Sequence, residues 1–218
     1  MPADASPAPP EFDDAFRDRL TDLLAWRRDV RRFRTDPVPD ALIDALLDLV
    51  QAAPSVGNSQ PWRFVRVESA AARAAVRRSF ERCNAEALGG YGGERAKLYA
   101  GLKLSGLDRA PVQLAVFCDG TTGQGAGLGR MTMPQTLDFS VVGAIHVLWL
   151  AARAHGLGLG WVSILDPDDV TAGLDPPAGW RFIAHLCLGW PEEEHDTPEL
   201  ERQGWQARTA AGRRVLTR

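Results

Sequence analysis

The chain has 218 residues, a net charge of −3, and 45% apolar and 24% charged residues, the balance of one globular α/β domain or two small ones. No global basic excess is available to draw a phosphate backbone, which argues against a dedicated nucleic-acid binder. Three scattered cysteines (Cys83, Cys118, Cys187) without a CxxC fit a reducing compartment, not a disulfide scaffold.

Residues 1–11 are rich in Pro, Ala and acid and have neither the basic start nor the apolar core of a signal peptide, so a disordered tail is expected there. Phe12, Phe16, Leu20, Leu23 and Leu24 fall on one helical face. That helix runs into Trp26–Arg34, where Arg27, Arg28, Arg31, Arg32 and Arg34 surround Asp29. Guanidinium forks suit phosphate or carboxylate, and the neighbouring positive charge is expected to keep Asp29 ionised. The stretch reads as an anion site with one acceptor built in; a solvated basic helix end is the plainer alternative.

Asp36-Pro37-Val38-Pro39 breaks the chain. Asp40 is the expected N-cap of a helix over 41–53, with Leu42, Ile43, Leu46, Leu49 and Val50 inward. The loop Ala53–Trp62 sets Ser55, Asn58, Ser59 and Gln60 between two prolines, offering donors and acceptors to a heterocycle or serving only as a polar turn. A strand over 63–67 and a helix over 69–82 follow. Residues 84–109 carry the glycine pairs Gly89-Gly90 and Gly92-Gly93 around a partly apolar helix through Leu98, Tyr99, Leu102 and Leu104, the pattern of a mobile lid.

Val112–Cys118 reads as a buried strand, and 120–130 as a glycine-rich loop with neither GxGxxG nor a Walker lysine. Asp138–His155 has almost no polar face, so it is expected to be a buried central helix, of the kind often found at a subunit interface, with His146 as a core histidine. Val141–Ala152 is too short to span a bilayer, and a soluble, cytoplasmic protein is expected. Glycines 156–160 end the helix, and strands follow over 161–165 and 181–188. Asp166, Asp168 and Asp169 read as turn and cap residues. No HExxH, Cys/His cluster or GxSxG elbow occurs, so no metal site is expected. The polar segment 198–205 is expected to lie against another surface, plausibly a partner subunit. The whole reads as a single domain over 12–218, with a C-terminal extension from about 191.

Taken together, the arginine stretch, Asn58-Ser59-Gln60-Pro61-Trp62 and Gly156–Ser163 resemble the flavin-dependent nitroreductase family, over roughly residues 20–190. Within it, Asp29 where ordinary reductases carry serine, the turn Gly160-Trp161-Val162-Ser163, the lid Tyr99–Leu107 and the ending Pro198–Trp205 resemble the branch that makes 5,6-dimethylbenzimidazole. The resemblance implies an α+β, nitroreductase-like sandwich with a central mixed sheet, a buried central helix, a mobile lid and a C-terminal arm wrapping the partner of a homodimer. It implies that reduced FMN and O₂ are consumed to give 5,6-dimethylbenzimidazole, the lower ligand of cobalamin, and erythrose 4-phosphate, with a separate flavin reductase as the electron source and no tightly bound NAD(P)H. Arg27, Arg28, Val30 and Arg31 would hold phosphate and ribityl, Asp29 would act on the ribityl chain, and Ser163 would meet the flavin ring edge. Ser55, Asn58, Gln60 and Leu104 would make further ring contacts. A conventional NAD(P)H-dependent FMN reductase, which returns its flavin intact, and a non-catalytic flavin-binding protein are the rival readings.

Overall fold

The computed structural model describes residues 8–218; residues 1–7, most of the expected tail, lie outside the described residues. In chain order the elements are α1 (Asp14–Trp26), α2 (Asp40–Val50), a 3₁₀ turn (Val56–Asn58), β1 (Trp62–Arg66), α3 (Ala70–Gly89), α4 (Gly93–Gly101), β2 (Val112–Asp119), α5 (Thr136–Ala154), β3 (Gly158–Val162), α6 (Pro167–Leu174), β4 (Trp180–Gly189) and α7 (Glu199–Arg202). The strands form one sheet in the order β1-β2-β4-β3. All three ladders are antiparallel, which corrects the expected mixed sheet. Strand direction depends on how the connections run, and that is invisible to periodicity. The parallel pairing among the described residues is an isolated bridge, Asp29 to Leu159.

Three layers result. β2 is buried along its whole length, because its alternating side chains enter two different cores. Leu114, Val116 and Cys118 meet Ile43, Leu46 and Val50 of α2 and Val141, Ile145 and Leu148 of α5. Ala115 and Phe117 meet Phe33, Val76 and Leu107 on the other side, where α3 and α6 pack. Each such Leu, Ile, Val or Phe, once fully buried, contributes about 1.5–3 kcal/mol before the entropy of ordering is set against it. α5 also has the length and mean hydropathy of a membrane span, but its Val141, Ala144, Ile145, Leu148 and Ala152 are committed to the core.

Several expected boundaries shift. Pro39, not Asp40, occupies the cap position of α2; Asp40 is its first helical residue and accepts from Arg66 Nη2 at 2.8 Å. Leu49, expected inward, is 47% exposed. α3 runs to Gly89, so Asn84–Gly89 belongs to that helix, and the glycine pairs mark the break before α4. β3 begins at Gly158 and stops at Val162, leaving Ser163–Leu165 beyond it. α6 was not expected, although its cap was read correctly: Asp166 accepts from the amides of Asp168 and Asp169. Arg82 pairs with Asp166 at 2.9 Å and Asp169 at 2.6 Å and so clamps α3 to α6.

His146 is not a core histidine. It is exposed on the face of α5 that also carries exposed Phe139 and Val142; an all-apolar helix does not reveal from sequence which face its own chain covers. α1 likewise buries none of its residues, and Phe16, Leu20, Leu24 and Trp26 lie open. The buried histidine is His185 of β4, fully enclosed, with Nε2 3.1 Å from Gln113 Oε1.

Burial pushes the His185 imidazolium down to about 3. Below the ordinary histidine range the unfolded chain therefore binds a proton that the folded chain refuses, and stability falls as pH falls. Between pH 7 and pH 5 this one group should cost about 2 kcal/mol. Urea unfolding of His185→Gln at both pH values should show a pH dependence flatter by that amount, whatever the variant's absolute stability.

Candidate functional site

α1 stops at Trp26, and Arg27, its C-cap, is already extended. From there the chain runs along the open edge of β3. The Val30 amide donates to the Leu159 carbonyl at 3.1 Å, Arg34 to Trp190 at 2.8 Å, and Glu192 to Arg32 at 3.1 Å. The approach is close enough that a Cβ on Gly160 would overlap the Val30 carbonyl oxygen, and one on Gly158 would lie 2.8 Å from the Val30 side chain. The glycines that follow α5 therefore do more than end a helix: they let the arginine stretch lie against the strand.

Asp29 is fixed at both carboxylate oxygens. Oδ1 accepts from the Trp161 amide at 2.8 Å and Oδ2 from Arg31 Nε at 2.9 Å. Burial raises its pKa, against the opposing pull of Arg31, the Trp161 amide and Arg27. The expected pull of the arginines on Asp29 is present, but burial opposes it and is the larger effect, and the geometry gives the reason. Arg28 is turned to the Asp196 carbonyl at 2.7 Å, Arg32 to Glu199 at 2.7 Å, and Arg34 to Asp36 at 2.9 Å. Of the five, only Arg31 reaches the carboxylate among the described residues. A raised pKa makes Asp29 the stronger proton acceptor, and 29% of its side chain is still open to an incoming molecule.

Beside Asp29 lies a cleft of about 190 Å³ walled by Arg27, Arg28, Arg31, Arg208 and the arm residues Pro198–Leu200. Arg27 stacks over the Trp149 ring at 4.7 Å. Burial lowers the pKa of Arg27, opposed by Asp29 and assisted by Arg208; burial, then Arg208 and Arg27, lower that of Arg28. Among the described residues no carboxylate ion-pairs with Arg27, Arg28 or Arg208, and Glu199 at the rim is held by Arg32. Asp29 offsets Arg27 and Asp196 offsets Arg28 only in part, since both guanidinium pKa values are still lowered; partly desolvated guanidinium groups in excess over carboxylates suit an anion, and a phosphate fits their fork geometry. Arg208 was missed from sequence. It stands in a polar tail far from the cluster, with no motif around it.

Two more predicted residues come to this edge. Ser163 is exposed two positions beyond Trp161, whose amide holds Asp29. Leu104 follows Lys103, whose carbonyl accepts from Arg31 Nη1 at 3.0 Å, and it lines a cleft of about 270 Å³ with residues of α3 and α4.

The remaining three do not join them. Ser55 Oγ accepts from the Gln60 amide at 3.1 Å, and Gln124 Nε2 donates to the Asn58 carbonyl at 2.6 Å and to Gln60 Oε1 at 2.9 Å. This loop enters β1, on the sheet edge opposite β3. It is also at the other end of the strands: Trp62 pairs with Cys118, whereas Leu159 pairs with Leu188, itself opposite Val112. Three strand spacings and six residues of rise separate the two, on the order of 25 Å. Within one chain the donor–acceptor loop and the cationic cleft do not face a common pocket. No group of three or more His, Cys, Asp or Glu side chains that could hold a metal occurs among the described residues.

Residues 24–190 match the family model described as the Nitroreductase family. The chain is 61% identical to a 5,6-dimethylbenzimidazole synthase of Rhodospirillum rubrum over 91% of its own length and 94% of the relative. It is 54% identical to one of Rhodobacter capsulatus over 89% and 94%. Among solved structures it shares the fold of an oxidised iodotyrosine deiodinase bound to FMN and 3-iodo-L-tyrosine, with a TM-score of 0.70, 26% identity, and 91% and 97% of the two chains covered.

If Gly160 is the clearance that docks the arginine stretch, Gly160→Ala must push Val30 off β3. A loss of about 1–3 kcal/mol is expected from overpacking, and urea denaturation measures it. Faster hydrogen exchange of the Val30 amide should accompany the loss.

Proposed function

The chain belongs to the nitroreductase family, and from that premise we propose that it is an oxidoreductase that consumes its flavin: reduced FMN and O₂ give 5,6-dimethylbenzimidazole, the lower ligand of cobalamin, and erythrose 4-phosphate, with the pyrimidine portion of the ring leaving as a third, oxidised fragment. The observation that carries this reading is Asp29, a carboxylate anchored on the β3 edge beside an arginine cleft, with its pKa raised by burial. The high identity to two relatives named for that synthesis supports it. Reduced FMN supplies the electrons and the carbon skeleton, and O₂ is the oxidant.

The chain's own residues do the following. Arg27, Arg28, Arg31 and Arg208 hold the phosphate end. The Val30 backbone, pinned to Leu159, sets the depth of that grip. Asp29, next along the cleft, accepts a hydrogen bond or a proton from a ribityl hydroxyl beside the bond that breaks. Ser163 bonds the ring edge, and Leu104 covers the ring from the lid. With Arg31 tied to the Lys103 carbonyl, residues 90–109 close over the site and keep water out. No metal takes part, and a separate reductase supplies reduced flavin in a reducing cytoplasm, where Cys83, Cys118 and Cys187 stay free.

A homodimer completes the site. Ser55, Asn58 and Gln60 serve the ring from the partner subunit, because in their own chain they lie across the sheet from Asp29. The open apolar residues Phe16, Leu20 and Leu24 of α1 and Phe139 and Val142 of α5 supply the interface; Pro198–Trp205, expected against the partner, packs on its own chain through Glu199 and Trp205, and the exposed residues 212–218 lie along the partner.

Incubation with photoreduced FMN in air, without NADPH, should yield 5,6-dimethylbenzimidazole by mass; quantitative return of intact FMN overturns the proposal. Asp29→Asn should bind FMN within a few-fold of wild type while product formation drops by about 10²-fold or more. Arg208→Ala should weaken FMN by about 10–100-fold, as loss of a charged hydrogen bond does, and leave riboflavin affinity unchanged in the same titration.

A further inference from the structure

Helix α4 has little core of its own: Tyr99 is its one buried residue. What holds it is the C-terminal arm. The Arg95 guanidinium lies 3.8 Å over the Trp205 ring and donates through Nη1 to the Trp205 carbonyl at 3.2 Å. Tyr91 meets that ring edge-on at 5.4 Å and Tyr99 at 6.0 Å, while the Tyr99 hydroxyl donates to Asn84 of α3 at 2.9 Å. The arm itself is a tight unit. Gly204, with φ +73°, reverses the chain after α7, and the amides of Trp205 and Gln206 both donate to the Leu200 carbonyl. Three residues beyond Trp205, Arg208 faces Arg27 and Arg28 across the cleft.

We infer that Arg95 and Trp205 are positioning residues that tie α4 to Arg208, so that filling the anion cleft and closing the cover are a single transition. The reasoning is electrostatic. Without an anion, Arg208 stands against Arg27 and Arg28, whose charge Asp29 and Asp196 offset only in part, and the arm is held there against the remaining repulsion. An anion reverses the sign of that interaction and draws Arg208 in. Trp205 moves with it on the same short arm, and α4 follows Trp205 through a cation–π contact and a hydrogen bond. The second tie, Arg31 to the Lys103 carbonyl at 3.0 Å, joins the other end of the cover to the same cluster. By linkage the coupling is reciprocal: loosening α4 weakens anion binding as much as the anion tightens α4. That the natural anion is the FMN phosphate rests on the function proposed above; the coupling does not.

Hydrogen exchange of the full chain tests it, with FMN, riboflavin and inorganic phosphate as separate probes. FMN should slow exchange in residues 93–101 by about tenfold, within the range of ordinary coupling, inorganic phosphate should do so in part, and saturating riboflavin should not. In Arg95→Gln, FMN should still protect the Val30 amide while 93–101 no longer responds; Trp205→Leu should behave alike if the first variant folds poorly. Equal protection of 93–101 by riboflavin, or full FMN-dependent protection in either variant, overturns the inference. The two proposals separate cleanly. Wild type that forms no dimethylbenzimidazole but closes through Arg95 on binding phosphate leaves the coupling standing and removes the function. Product formation with α4 indifferent to phosphate does the reverse.

Discussion

Everything at this site depends on one docking event: the extended stretch after α1 lying against the free edge of β3. An exposed strand edge offers unpaired amides and carbonyls, and here the Val30 amide takes the Leu159 carbonyl while the Asp29 side chain takes the Trp161 amide. The carboxylate thus finishes the ladder that the backbone begins. The contact is possible only because residues 158 and 160 have no side chains to hold the stretch away. Phe33, fully buried between the sheet and the helices on its far face, anchors the end of the stretch in the core, so its arginines start from a rigid backbone.

From that placement the electrostatics follow in two steps. Arginines fixed next to one another cannot all serve a single carboxylate. Most turn outward to Asp196, Glu199 or Asp36, and Asp29 keeps one direct partner. Burial then outweighs the remaining attraction and raises the Asp29 pKa. The same crowding leaves Arg27, Arg28 and Arg208 with positive charge that Asp29 and Asp196 offset only in part. Guanidinium groups and a carboxylate of raised pKa therefore line one cleft, the pairing that the proposed reaction would use to hold a phosphorylated chain by its end and act on it further along.

The cluster itself was legible, because five guanidinium groups around one aspartate within eight residues is a local pattern, and so were the strands, since β2 and β4 read as apolar runs. What stayed hidden was relational. Sequence shows that α5 is apolar on every side but not which side its own chain covers, so it does not tell that His146 is exposed and His185 enclosed. It gave charge around Asp29 but not where each guanidinium points or how deeply the carboxylate is buried, so the dominance of burial over the arginines was not legible. Arg208 carried no local signal, because its role comes from a reverse turn at Gly204 that brings a distant tail back to the cleft. The two halves of the expected flavin-contact set lie diagonally across the sheet in the chain, a relation that no local pattern carries.

That diagonal bears on how the site can work at all. The 55–60 loop is not a loosely placed element awaiting a ligand. Ser55 and Gln124 hold it from two sides, and Gly57 packs so closely on Leu128 and Gly125 that a Cβ there would lie 3.0–3.1 Å from their carbonyl oxygens. A rearrangement that carried it some 25 Å around the sheet would break that packing and the β1 ladder with it. The proposed homodimer needs no such movement: each chain would keep its rigid loop and its rigid cleft, and the open apolar faces of α1 and α5 would give the association its driving force. The order in the loop is thus an argument for the proposed shared site: if these residues contact the flavin, an element fixed across the sheet from its own cleft would be already prepared for the cleft of a second chain.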